Sequence, residues 1–104
     1  NIRWKGTDAE KKRITDSLDA MLAWAEKNNQ VRLFAGEFCA QAVPPAAHGS
    51  LREDRLRWVR FVRESCEKRG IPWNYYDFCE EGSKVYDIAT GEWDAELMDA
   101  LFAD

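Results

Sequence analysis

The sequence predicts an α/β chain in the order helix, strand, helix, strand, helix, with the two strands parallel. Three observations carry this reading. Apolar residues recur at helical spacing in the segments 7–29, 51–69 and 94–102, the pattern of amphipathic helices. Between them lie two short runs with strand character, one beginning at Val31 and one at Ile71. Strands alternating with helices of this length imply βαβ units and parallel pairing.

Each element has its own local signals. Thr7-Asp8-Ala9-Glu10 is a capping-box pattern that starts the first helix. Ile14, Leu18, Met21, Leu22 and Ala25 form its apolar face, and it ends near Lys27-Asn28-Asn29. The stretch Val31 to Gln41 then reads as a buried strand that stops on a carboxylate. Val31, Leu33 and Ala35 alternate with Arg32, Phe34 and Gly36, which places Glu37 on the Val31 face at the strand's C-terminal end. Gly36 leaves room beside it for backbone or ligand. Pro44-Pro45 and Gly49 make residues 39–50 an irregular loop. The second helix runs from about Leu51 to Arg69, buries Leu56, Val59, Phe61, Val62 and Cys66, and stops at Gly70. The second strand spans Ile71 to Phe78, with Pro72 near its start. A charged loop, Cys79 to Lys84, leads to a brief extended piece, Val85–Ile88, and a turn at Thr90-Gly91. Asp94 caps the last helix, Trp93 and Met98 are spaced as a hydrophobic staple, and Leu97, Met98, Leu101 and Phe102 form its apolar side.

The totals bound the function. A chain of 104 residues with 45% apolar composition suffices for one core. A net charge of −4 and a pI near 5.0 argue against a nucleic-acid partner, and no apolar run is long enough to cross a membrane. The chain opens on Asn1-Ile2-Arg3-Trp4 without Met or leader, the expectation for a processed chain or a piece of something longer. Cys39, Cys66 and Cys79 lack metal-site spacing, so neither a metal nor a cofactor is expected. Two principal strands form neither a closed barrel nor a full sheet, and a (β/α)8 barrel needs about 250 residues. Partner strands are missing from this arrangement.

At Gly36-Glu37-Phe38 the chain resembles glycoside hydrolase family 5, the cellulase-type (β/α)8 barrels. Trp4-Lys5-Gly6-Thr7 and its helix resemble the family's stretch after the sixth strand. Trp73-Asn74-Tyr75-Tyr76-Asp77-Phe78 resembles its eighth strand. Val85-Tyr86-Asp87, Gly91-Glu92-Trp93 and the final helix resemble its C-terminal end. The four segments are in register over nearly the whole chain. The resemblance implies the C-terminal part of a TIM barrel: helix six, strand seven, helix seven, strand eight, helix eight, with residues 1–104 one segment of a single catalytic barrel.

It also implies roles. Glu37 matches the catalytic nucleophile of a retaining β-glycosidase acting on β-linked polysaccharide, endo-β-1,4-glucanase-like. Tyr76 stands where the family usually has the tryptophan that forms a sugar platform, and a tyrosine stacks with less area. Asp77 and Gln41 are the further substrate-side candidates, Asp77 as a hydrogen-bonding residue at the rim. Cys39 replaces a frequent glycine. Retaining hydrolysis needs a second carboxyl about 5–5.5 Å from the nucleophile. The family's acid/base Glu follows an Asn, and no Asn-Glu pair occurs here. Asp77, Glu80, Glu81 and Asp87 do not match that position. His48 matches no family motif and reads as a surface loop residue. Of the five tryptophans, Trp24, Trp58 and Trp73 read as packing residues, while Trp4 and Trp93 stay open. A Cys39–Cys79 disulfide between neighbouring strand ends is conceivable.

The expected partners are a β-glucan or related polysaccharide and the remainder of the barrel or further copies of the chain. The implied parent is secreted or extracellular. The alternatives are a non-catalytic carbohydrate- or protein-binding α/β fragment, inactive without the acid/base Glu, and a small unrelated α/β domain.

Overall fold

Thr7 opens the first helix, α1 (Asp8–Lys27), through the expected capping box: its hydroxyl accepts from the Glu10 amide while the Glu10 carboxylate accepts from the Thr7 amide at 2.8 Å. The computed structural model describes residues 3–42 and 50–104. His48, Pro44-Pro45 and Gly49 therefore lie outside the described residues. The elements that follow are β1 (Ala35–Phe38), α2 (Arg52–Lys68), β2 (Trp73–Tyr75), β3 (Tyr86–Asp87), β4 (Glu92–Trp93) and α3 (Ala95–Phe102). The helix–strand–helix–strand–helix order holds, and β1 and β2 pair in parallel.

The end of α2 shows why β2 starts late. Gly70 adopts φ +64°. The Gly70 amide donates to the Glu67 carbonyl at 3.1 Å and the Ile71 amide to the Cys66 carbonyl at 3.0 Å, the two bonds of a Schellman motif. Ile71 thus belongs to the helix cap and not to the strand. At the other end Asp77 terminates β2: its Oδ1 accepts from the amides of Cys79 and Glu80 at 3.1 and 2.6 Å, so the chain turns there.

The first strand differs from the sequence reading. Val31 precedes it and is exposed. Ala35 pairs with Trp73 and Phe38 with Tyr75, so Gly36 and Glu37 together stand against Asn74 alone. This is a β-bulge, and the extra residue breaks strict alternation. Leu33, Ala35 and Phe38 all contact one core cluster, while Glu37 is exposed. The expectation that Glu37 shares a face with Val31, Leu33 and Ala35 is therefore corrected.

That cluster lies between the strand pair and the helices, built from Phe38, Val59, Val62, Cys66, Ile71, Val85 and Leu101 among others. Trp58 and Trp73 pack against it as expected, whereas Trp24 and Met21 are exposed. Ile14, Leu18 and Leu22 bring α1 onto the core. The last turn of α3 has no basic residue of its own. Buried Arg63 of α2 supplies the charge instead, donating to the carbonyls of Ala100 at 3.1–3.2 Å and Ala103 at 2.5 Å. Asp54, fully buried on α2, accepts from the Trp4 amide at 3.0 Å, from Arg57 at 3.2 Å and from the Arg3 guanidinium. It ties the residues before α1 to α2. The Arg3 guanidinium holds its carboxyl at about 2 against an ordinary value of 3.8.

The extended piece before the last helix is half of an antiparallel hairpin, with Tyr86 opposite Trp93 and Asp87 opposite Glu92. The sequence reading had a turn at Thr90-Gly91 and no strand after it, whereas β4 follows at Glu92–Trp93. Asp94 caps α3 as expected, accepting from the Leu97 amide at 3.0 Å. No helix among the described residues is long and apolar enough to cross a membrane. Cys39, Cys66 and Cys79 are all free thiols, so the conceivable Cys39–Cys79 disulfide is absent.

Candidate functional site

The parallel pair ends side by side, and the candidate residues lie at those C-terminal ends. Phe38, buried in the core, fixes β1; Glu37, one position earlier in the bulge, is exposed. The Tyr76 amide donates to the Phe38 carbonyl at 3.0 Å, which sets the end of β2 level with the end of β1. The Tyr76–Asp77 peptide is cis. Tyr76 is 39% exposed. Asn74 Nδ2 donates to the Gly36 carbonyl at 3.3 Å, across the bulge.

The electrostatics gather the same residues. Glu80, through a hydrogen bond and then through its charge, raises the Tyr76 phenol above its ordinary value of 10.0; burial, Asp77 and Glu37 add to the shift. Burial raises the Cys39 thiol, with smaller contributions from Glu37, Glu80 and Asp77. Glu37, Asp77, Glu80, Tyr76 and Cys39 therefore share one negatively charged neighbourhood. Tyr75 stands below it, its phenol pushed up to about 12 by burial and its hydroxyl donating to the Ser83 carbonyl at 2.7 Å.

Asp77 uses one carboxylate oxygen to hold the turn at Cys79 and Glu80. Its hydrogen bonding is thus to backbone. Gln41 is exposed, with its amide nitrogen 3.9 Å from Cys39 Sγ and its carbonyl accepting from the Ser50 amide and hydroxyl. Among the described residues no cluster of His, Cys, Asp and Glu is arranged to hold a metal ion. Trp4 lies 5.8 Å from the Phe61 ring and packs there. Trp93 is exposed and joins Phe78 and Tyr86 in an aromatic group with ring centroids 5.0–5.6 Å apart.

Two apolar hollows flank the strand pair, neither lined by Glu37 or Tyr76. One of about 290 Å³ is bounded by Trp73, Phe78, Trp93, Met98 and Phe102. The other, about 610 Å³, lies between α1 and α2 and is bounded by Ile14, Leu18, Phe38, Trp58 and Val62. Sequence reasoning missed the contact of Gly82 with Gln41 and Ala42. A lone glycine in the charged loop Cys79–Lys84 was its signal.

No family model matches the chain. Among curated proteins it is 25% identical over 108 residues to Endoglucanase H of Acetivibrio thermocellus, covering 96% of this chain and 11% of that protein. Among solved structures it is similar to the cellulose synthase subunit Z of Clostridioides difficile, with 33% identity and a TM-score of 0.84 over 98% of this chain and 31% of that one. A hyperthermophilic endo-β-1,4-glucanase in complex with substrate matches at 32% identity and a TM-score of 0.83, over 100% of this chain and 31% of that one. Thermotoga maritima Cel5A in complex with cellobiose matches at 28% identity and a TM-score of 0.85, covering 98% and 30%. The chain spans under a third of the length of these structures and about a ninth of the curated relative. The resemblance to cellulase-type family 5 enzymes thus holds over nearly the whole chain, which carries the fold of the C-terminal portion of their barrel.

Proposed function

We propose that this chain forms part of a retaining β-glycosidase, endo-β-1,4-glucanase-like, and supplies its nucleophile, Glu37. The observation that carries the reading is the exposed Glu37 at the C-terminal end of a parallel strand, in a chain whose backbone follows substrate-binding endoglucanases. In a (β/α)8 barrel that end is where chemistry takes place. Glu37 attacks the anomeric carbon, a glycosyl ester forms, and water then releases the sugar. The carboxyl that protonates the leaving oxygen and later activates the water comes from outside this chain.

Tyr76 serves as the stacking platform beside the scissile bond, and Asp77 and Gln41 line the sugar side of the same rim. The substrate is a β-glucan or a related polysaccharide, no cofactor is needed, and the parent enzyme is secreted. The chain works with the remainder of its barrel, or pairs with copies of itself when that remainder is absent.

An activated 2-fluoro cello-oligosaccharide, applied to the chain mixed with a separately made N-terminal barrel portion, tests the assignment. Such sugars accumulate the covalent intermediate, and peptide mapping is expected to find the adduct on Glu37. An adduct elsewhere would overturn the assignment. A second reading, a non-catalytic carbohydrate-binding fragment, draws on the exposed rings of Phe78 and Trp93, which pack on half-buried Tyr86. Titration of the chain alone with cello-oligosaccharides, followed by tryptophan fluorescence, separates the two: saturable quenching supports it and a flat response removes it.

A further inference from the structure

Gln41 and Gly82 meet where the loop after β1 touches the loop after β2. The Ala42 amide donates to the Gly82 carbonyl at 2.6 Å. Gly82 has φ +92°, in the left-handed region, and a Cβ there would overlap the Gln41 side-chain oxygen. The Gln41 amide nitrogen reaches back to Cys39 Sγ at 3.9 Å. Its backbone carbonyl accepts from the Ser50 amide at 3.1 Å and from the Ser50 hydroxyl at 2.8 Å, next to the start of α2. The second loop is anchored from below by Tyr75, whose hydroxyl donates to the Ser83 carbonyl.

We infer that Gln41 and Gly82 form a clasp that fixes the strand end carrying Glu37 to the loop carrying Asp77 and Glu80. Both are positioning residues: they set the separation of the two loops and leave the reacting carboxylate untouched. Glycine is required at position 82 for two independent reasons, the backbone angle and the space that the Gln41 side chain occupies. Gln41 touches both sides of the seam, Cys39 on its own loop and Gly82 on the other. What the clasp serves, a fixed frame for sugar binding beside Glu37, rests on the function proposed above; the clasp itself rests on the contacts.

Amide exchange and cysteine alkylation on the full chain, read by mass spectrometry, test it. Gln41→Ala empties the contact, and Gly82→Ala drives the Gln41 side chain out. Each is expected to speed Ala42 amide exchange by about tenfold, with alkylation of the buried Cys66 as an unchanged internal control. Because both substitutions act on one contact, the double variant is expected to exceed the larger single effect by less than about twofold. Wild-type rates in Gln41→Ala, or effects that multiply in the double variant, would overturn the clasp. Should Gly82→Ala also expose Cys66, its fold has loosened and Gln41→Ala alone decides. Glu37→Gln is expected to leave the Ala42 exchange rate unchanged, so a failure of the clasp and a failure of the nucleophile assignment are read separately.

Discussion

Asp54 is a buried carboxylate with three donors around it, and its pH dependence follows from that environment. Its folded value of about 2 lies below the ordinary 3.8. The ionised form is therefore favoured by folding. The stability it contributes is fully present above pH 4 and is lost as pH falls through the folded value. Melting temperatures of the wild type and Asp54→Asn are expected to differ most at neutral pH and to converge near pH 2; a constant difference would contradict the assignment. Tyr76 gives a second residue-scale test. Its phenol is raised chiefly by Glu80, so Glu80→Gln is expected to move its titration downward, followed by ultraviolet difference absorbance. An unmoved titration would mean that Glu80 does not face the phenol. Glu37 itself was legible in the sequence as a carboxylate at a strand end, because the apolar run that precedes it ends there. The turn-holding role of Asp77 was not: it depends on a reversal of the chain after Tyr76 that no residue type in that stretch announces.

At the scale of elements, helix ends were the most legible parts of the chain. Thr7 with Glu10, Asp94, and Gly70 are local signals whose physics is complete within a few residues. Gly70 has open space where a Cβ would go, so Gly70→Ala costs only the left-handed backbone angle, about 1 kcal/mol. Asp94→Ala removes both the Leu97 cap and the partner of Arg52, which lies 2.7 Å away, and is expected to cost about 1–2 kcal/mol. Chemical denaturation of both variants checks these figures. The strands were less legible. Period-two alternation cannot show the bulge at Gly36 and Glu37, because the inserted residue is set by pairing with Asn74 from a distant part of the chain. Likewise β4 holds only two residues, too short to carry a pattern. The periodicity of α1 marked an apolar face that included Met21, but what covers a face is a tertiary question, and Met21 and Trp24 are both left open.

For the molecule as a whole, the decisive feature is how little of the parallel pair is enclosed. Among the described residues β1 and β2 pair only with each other, so each has a free edge, a template for further strands. Val31 and Phe34 are exposed just before β1, and Phe78, Trp93 and Phe102 are exposed beyond β2. Apolar area left in water forfeits about 25 cal/mol per Å², a large sum for a domain stable by about 5–15 kcal/mol. The chain alone is expected to associate through these edges, with light scattering and circular dichroism that change with concentration. A sharp, concentration-independent melt of a 12.0 kDa monomer would point instead to a self-contained α/β domain.

We propose Glu37 as the nucleophile of a barrel to which this chain contributes one portion. Complementation tests it most directly: the chain is mixed with a separately produced N-terminal portion of such a barrel and assayed on a soluble β-glucan. Activity is expected only in the mixture, and Glu37→Gln is expected to lower it by on the order of a thousandfold or more. Activity that survives Glu37→Gln unchanged would contradict the account.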